Sequence, residues 1–288
     1  MPKFDMNILR FTLMNYKTDI KNRMIVLQIT IIISFLPLFL YFDSPSFNDY
    51  CSYGQWISNF LMMIFFFWFY WLGDQKLKRQ LIMMVIIASI GEVFASLIME
   101  FYTYRLHNIP LYVPPGHALL FAVIYYAHKQ KIIRQHGAWL RPTLLCLSFF
   151  ISTLFLLVFN DVGGFCCFLL FLAFFYNKRC KLFYLLMFIL VFYLEISGTL
   201  LQTWAWYSVN GVHHPYYPSI ANPPAGAAGL YMILDMFTNS GYFWIYSLEK
   251  KFSIHGARAQ QARIKKRAIL VASQVSTFFT MILKNKRP

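Results

Sequence analysis

The sequence predicts an all-α integral membrane protein of about eight transmembrane helices, and three observations carry that expectation. Of its 288 residues 59% are hydrophobic and only 13% charged, a balance that a water-soluble domain could not bury. Apolar runs of bilayer length recur along the chain. Every Lys and Arg except Arg105 falls in segments that alternate crossings would leave on one side.

The apolar runs occupy 24–42, 55–72, 80–104, 143–160 and 181–207, with 226–247 interrupted by Asp235. Runs at 113–128 and 163–177 are short for a span, and charge supports them. If all cross, the cytoplasmic segments are 1–23, 73–79, 129–142, 178–181 and 248–288, and these hold all of the 26 Lys and Arg but Arg105. Both termini are then cytoplasmic, in a multi-pass protein of the plasma (inner) membrane. The first run is followed by Asp43 and Asp49 rather than a small-residue cleavage site, so it reads as a retained helix. Residues 256–283 read as a basic, then apolar, amphipathic interfacial helix, because a ninth span would export Lys284, Lys286 and Arg287.

In a soluble protein the net charge of +15 would suggest a nucleic-acid partner. Here the basic residues cluster between apolar runs and the aromatic residues lie within them, so membrane lipid is the expected partner and nucleic acid is not. The five cysteines show no CxxC pairing and read as packing residues.

The two halves of the chain resemble each other. Glu92-Val93-Phe94-Ala95 leads through Tyr102-Thr103-Tyr104 to Pro114-Pro115-Gly116-His117, while Glu195-Ile196-Ser197-Gly198 leads through Trp204-Ala205-Trp206 to Pro223-Pro224-Ala225-Gly226. The expected organisation is a cytoplasmic segment 1–23, a four-helix repeat 24–128, a basic linker 129–142, a second four-helix repeat 143–247 and a basic tail 248–288. Four helices per repeat give both halves one orientation about an axis along the membrane normal.

Four acidic residues fall inside the apolar runs: Glu92, Glu100, Glu195 and Asp235. Burying an unpaired carboxylate there costs at least about 2.5 kcal/mol, so such groups face the bundle interior, as polar clamps or as functional groups. Glu92 and Glu195 are expected at equivalent midplane depths, where one neutral and one ionised carboxyl make an acid/base pair. Read as helix, Glu195, Thr199 and Gln202 share a face, and Glu100 lies on a face adjacent to that of Glu92.

The Pro-Pro segments suggest helices whose first N–H groups are free and directed outward, able to favour an anion. Arg105, the lone far-side base, is placed to pair with Glu100, to grip an anionic head group or to snorkel. His107, His117 and His213 lie on or near the far side with Glu100. That set suits Zn, Fe or Mn chemically, but no HExxH occurs and the neighbours His213 and His214 cannot both point one way, so no metal or cofactor is assigned. Tyr102, Tyr104, Trp204 and Trp206 are either interfacial belt or the walls of a pocket.

The resulting expectation is a membrane enzyme that isomerises, hydrates or cyclises a lipidic, isoprenoid-like or other small-molecule substrate by proton transfer. Glu92 and Glu195 form its acid/base pair, supported by Glu100, His117 and Asp235. Arg105, Tyr102, Tyr104, Trp204, Trp206, Gln202, His107, His213 and Asn222 contact the substrate. A proton- or cation-coupled transporter or channel, and a binding or assembly subunit, are the competing readings. The sequence contains no glycine-rich phosphate loop for an ATP-driven mechanism.

Overall fold

The computed structural model describes residues 6–176, 181–210 and 216–249. The expected interfacial helix at 256–283 and the candidate His213 lie outside the described residues. The chain divides into two compact units, Met1–Asn239 and Ser240–Pro288.

The protein is mostly helical, and five helices are long and apolar enough to cross a membrane: Asp19–Tyr41, Gly54–Leu72, Gln75–Ile98, Gly137–Phe159 and Lys181–Leu200. Elements are numbered in chain order. In the first half come α1 (Met6–Tyr41), α2 (Pro45–Asn48), α3 (Gly54–Leu72), α4 (Gln75–Glu92), β1 (Tyr102–Tyr104) and α5 (Val113–Ala127). In the second come α6 (Lys131–Gln135), α7 (Gly137–Phe159), α8 (Val162–Tyr176), α9 (Lys181–Leu200), β2 (Trp204–Trp206), α10 (Tyr207–Asn210) and, within the first unit, a helix α11 over 228–239. Within the second unit, residues 240–249 are helical and expose Phe243 and Trp244.

The termini of these elements follow from local chemistry. Gly73 ends α3, and Asp74 caps α4 by accepting from the Leu77 N–H at 2.7 Å. Asn160 takes the left-handed conformation that ends α7. The short α5 packs against α1, α3, α4 and α9, and α9 packs against α1, α5 and α7, so these two helices form the centre. Phe188, Val191, Ala122 and Val123 are wholly buried there, whereas Trp71, Leu157 and Leu200 present apolar surface outward, as lipid contact requires.

The runs at 80–104 and 181–207 are not helical throughout, which corrects the sequence reading. After Glu92 the helix widens into a π-helical stretch, Val93–Ile98, and Glu100 adopts a left-handed φ of 51°. After Leu200 the matching break falls at Gln202, with φ 56°. Beyond each break the chain is extended. Tyr-Thr-Tyr and Trp-Ala-Trp alternate large and small residues with the period of a strand, and their aromatic rings suit a pleated surface.

The two strands pair antiparallel, Tyr102 with Trp206, Thr103 with Ala205 and Tyr104 with Trp204. Backbone bonds continue the ladder on both sides, Arg105 N–H to Thr203 O and Tyr207 N–H to Phe101 O, each about the Thr103/Ala205 centre. Interior backbone groups are thereby satisfied where the helices have ended.

Candidate functional site

The strand pair aims four aromatic side chains at two carboxylates. Tyr102 and Tyr104 donate their hydroxyls to Glu92 Oε2 at 2.9 and 2.7 Å. Trp204 and Trp206 donate their indole N–H groups to Glu195 Oε2 at 3.0 and 3.2 Å. Alternation puts residues 102 and 104 on the same face as 204 and 206, so a three-residue strand suffices to present both pairs. Gly198 admits the Trp204 ring, since a Cβ there would fall 2.0 Å from a ring carbon.

His117, in the second turn of α5, completes the first carboxylate. Its Nε2 lies 2.8 Å from Glu92 Oε1. Glu92 is thus engaged on both oxygens by three side chains, while His117 Nδ1 is buried without a hydrogen-bond partner among the described residues. The imidazole, in a residue only 8% exposed, stacks on Tyr231 of α11 at 4.6 Å between ring centres. The Tyr231 hydroxyl is directed to Glu195, and Glu92, Glu195 and His117 lie within electrostatic reach of one another. Glu92 and Glu195 are 4% and 5% exposed, so neither carboxylate faces lipid.

A groove of about 490 Å³ lies on the other side of the strand pair. It is lined by Glu100, Arg105, His107 and Gln202, with Tyr104 and Trp204 contributing to its wall, so each of those two aromatics touches the groove and a buried carboxylate. Glu100 and Gln202 therefore belong to the groove rather than to a helical face shared with the glutamates, because both follow a helix end. Thr199, which stays helical, donates its hydroxyl to the Glu195 backbone carbonyl at 2.8 Å.

Arg105 pairs with Asp43 rather than with Glu100. Its Nη2 lies 2.8 Å from Asp43 Oδ1, and Nε donates to the Asp43 carbonyl at 2.7 Å. Tyr112 and Gln55 donate to the other carboxylate oxygen at 3.0 and 3.2 Å, so Asp43, wholly buried at the end of α1, has four-sided support that an exposed Glu100 could not match.

The chain itself takes up N–H groups expected to point outward at the Pro-Pro segments. At α5, Val113 N–H bonds to Pro110 O and Gly116 N–H to Tyr112 O, and the intervening prolines have none. At the second segment the favoured anion is the chain's own. Asp161 accepts from the backbone N–H groups of Gly164 and Ala221 at 3.0 Å and of Ala225 at 2.8 Å. Asn222 stands beside it and accepts from the Trp206 N–H at 3.0 Å, which ties this loop to β2.

Asp235 lies one helical turn from Tyr231, buried, bonded by the Tyr184 hydroxyl at 2.7 Å and by Asn239 Nδ2 at 2.9 Å. Among the described residues no three His, Cys, Asp or Glu side chains gather as a metal site, and Cys51, Cys146, Cys166 and Cys167 are free thiols. Sequence reasoning missed Asp43, Asp161 and Tyr231. No family model matches the chain, and no curated protein or solved structure is similar to it.

Proposed function

We propose that this protein is a membrane enzyme that moves a proton on a lipidic, isoprenoid-like substrate, with His117 and Glu195 as the reacting base and acid. One observation carries the reading. Glu92 fixes His117 through Nε2 and has both oxygens engaged, leaving Nδ1 as the uncommitted basic atom of a buried site. A carboxylate bonded to one ring nitrogen selects the tautomer and fixes the ring's orientation, so Glu92 is a positioning residue.

In an isomerisation, Glu195 gives its proton to one carbon of a double bond, and the electron pair of that bond forms the new C–H bond. The cation left on the other carbon is stabilised by the aromatic faces around the site. His117 Nδ1 then takes a proton from the next carbon, and that C–H pair becomes the new double bond. Both indoles bind Glu195 Oε2, which leaves Oε1 to carry the transferable proton.

The frame for this chemistry is eight spans in two four-helix repeats of one orientation, with both termini cytoplasmic. Support comes from matched features: Asp43 and Asp161 after the first helix of each half, Glu92 and Glu195, the left-handed Glu100 and Gln202, and the paired strands. The three apolar helices α5, α8 and α11 add to the five long ones. Single-cysteine labelling tests the topology: positions 107 and 49 should react from outside and 78 and 134 only from inside, and a cytoplasmic signal at 107 would sink it.

The enzymatic reading is tested by incubating the purified protein with membrane lipid extract in D₂O. Wild type should introduce solvent deuterium into one lipid, and His117→Gln or Glu195→Gln should not. An extract with no deuterated lipid in any fraction overturns the reading. Proton-coupled transport is favoured by a different observation, the placement of one carboxylate from each half about the strand pair. It predicts proton flux into liposomes without lipid turnover.

A further inference from the structure

An acid that turns over must have its proton returned, and a polar stripe on α11 leads to the reacting acid. Tyr231, Asp235 and Asn239 recur at every fourth residue along α11 and so form one stripe, with successive Cβ atoms about 6 Å apart. Tyr231 begins the stripe at His117 and Glu195. Asp235, 1% exposed, is the carboxylic acid of that stripe. Tyr184 of α9 and Asn239 of α11 hold its two oxygens. Asn239 in turn accepts from Gln80 Nε2 of α4 at 2.7 Å.

Gln80 Oε1 is buried and has no hydrogen-bond partner among the described residues, in a residue 2% exposed. It follows directly on Lys76, Lys78 and Arg79, the basic residues at the start of α4. The polar stripe therefore leads from the buried acid–base pair to the basic end of α4, away from the groove lined by Glu100 and His107. A run of amides and one carboxylate, with an open acceptor at its end, suits the entry of water from that face.

We propose that Asp235 is the proton-loading residue through which Glu195 of the acid–base pair takes up protons from the face that carries Lys76–Arg79. The proposal rests on the acid–base reading of that pair. Hydronium at that face gives its proton to the Asp235 carboxylate and leaves as water. Through an intervening water Asp235 passes the proton to the Tyr231 oxygen as the Tyr231 hydroxyl proton moves to Glu195, so water and Tyr231 end unchanged and Asp235 is again ionised. Asn239, Gln80 and Tyr184 position water and carboxylate and carry no proton themselves.

The test is time-resolved infrared spectroscopy of the full chain in lipid nanodiscs after a pH jump between about pH 9 and 5. The Glu195 carboxyl stretch is identified as the band lost in Glu195→Gln. Asp235→Asn should slow its appearance about a hundredfold, the scale of a positioned proton-transfer group, and leave its final amplitude intact. Tyr231→Phe, which keeps the ring against His117, should slow it likewise and serves if Asp235→Asn does not fold. A purely structural Asp235 would lower stability and leave the rate untouched. A wild-type rate in either folded variant overturns the relay alone, whereas wild type with no Glu195 band at any pH overturns the acid–base reading beneath it.

Discussion

Gly198→Ala should unseat Trp204 from Glu195, and its cost can be worked from the structure. A Cβ at position 198 would lie 2.0 and 2.1 Å from two carbons of the Trp204 six-membered ring, well inside any real carbon–carbon contact. The ring is rigid and closed in by Tyr104, 6.2 Å away between centres, so relief requires the whole indole to shift by more than an ångström. That shift breaks the 3.0 Å bond from its N–H to Glu195. Overpacking of this kind costs about 1–3 kcal/mol, and a lost bond to a buried carboxyl about 1.5–3 kcal/mol. Alanine recovers about 1 kcal/mol of helix propensity, which leaves a net loss of about 1.5–5 kcal/mol. Gly116→Ala is the matched control, since its Cβ would meet only Met62 Cε at 3.7 Å. Equilibrium unfolding in mixed micelles, followed by Trp fluorescence, should show Gly198→Ala destabilised and Gly116→Ala at or above wild type. Equal stability of Gly198→Ala and wild type would refute the close approach of ring and helix.

The buried Arg105–Asp43 pair makes Arg105→Ala costly, by about 3–5 kcal/mol, because it strands a wholly buried carboxylate; in the same unfolding assay Asp43→Asn with Arg105→Ala should cost less than the sum of the single changes. Asp161→Asn puts an amide N–H₂ against at least one of three backbone N–H donors, and a loss of about 1–3 kcal/mol is expected, with faster proteolysis of the 216–225 loop as the readout. Burial pushes the Tyr207 phenol up to about 12, so its ionisation should be missing from the ultraviolet phenolate titration below that pH and appear in Tyr207→Phe difference spectra only above it. Its neutral form is favoured by the fold, so the stability Tyr207 contributes is complete below its unfolded pKa of about 10 and is lost as pH rises toward 12.

The membrane class and the two glutamates were legible because apolar run length and intramembrane charge are one-dimensional signals. Tyr102, Tyr104, Trp204 and Trp206 were legible as a set, since they recur at nearly the same offset from each glutamate. Their conformation was not. Three residues of strand at the end of an apolar run change its composition very little, and only the alternation of Tyr-Thr-Tyr and Trp-Ala-Trp marks the switch of period. Asp43 and Asp161 resembled ordinary loop residues, because what makes them structural is a set of donors 12 to 69 residues away in one case and up to 64 in the other. Tyr231 carries no local sign of its role, since the imidazole it stacks on comes from α5.

The strand pair also bears on how the chain is made. β1 is synthesised about 100 residues before β2, its sole strand partner among the described residues. At ribosomal rates of about 5–20 residues per second it waits roughly 5–20 s with its ladder groups unmatched, in or beside a medium that offers no water to take their place. A nascent first half is therefore a client for whatever machinery shields polar backbone during insertion, and a fragment ending in the 129–142 linker should be degraded when expressed alone yet persist when the remainder is supplied as a separate chain. Biogenesis, on this account, runs as a single late commitment: the N-terminal half is inserted early but becomes a finished structure only when Trp204 to Trp206 leave the ribosome.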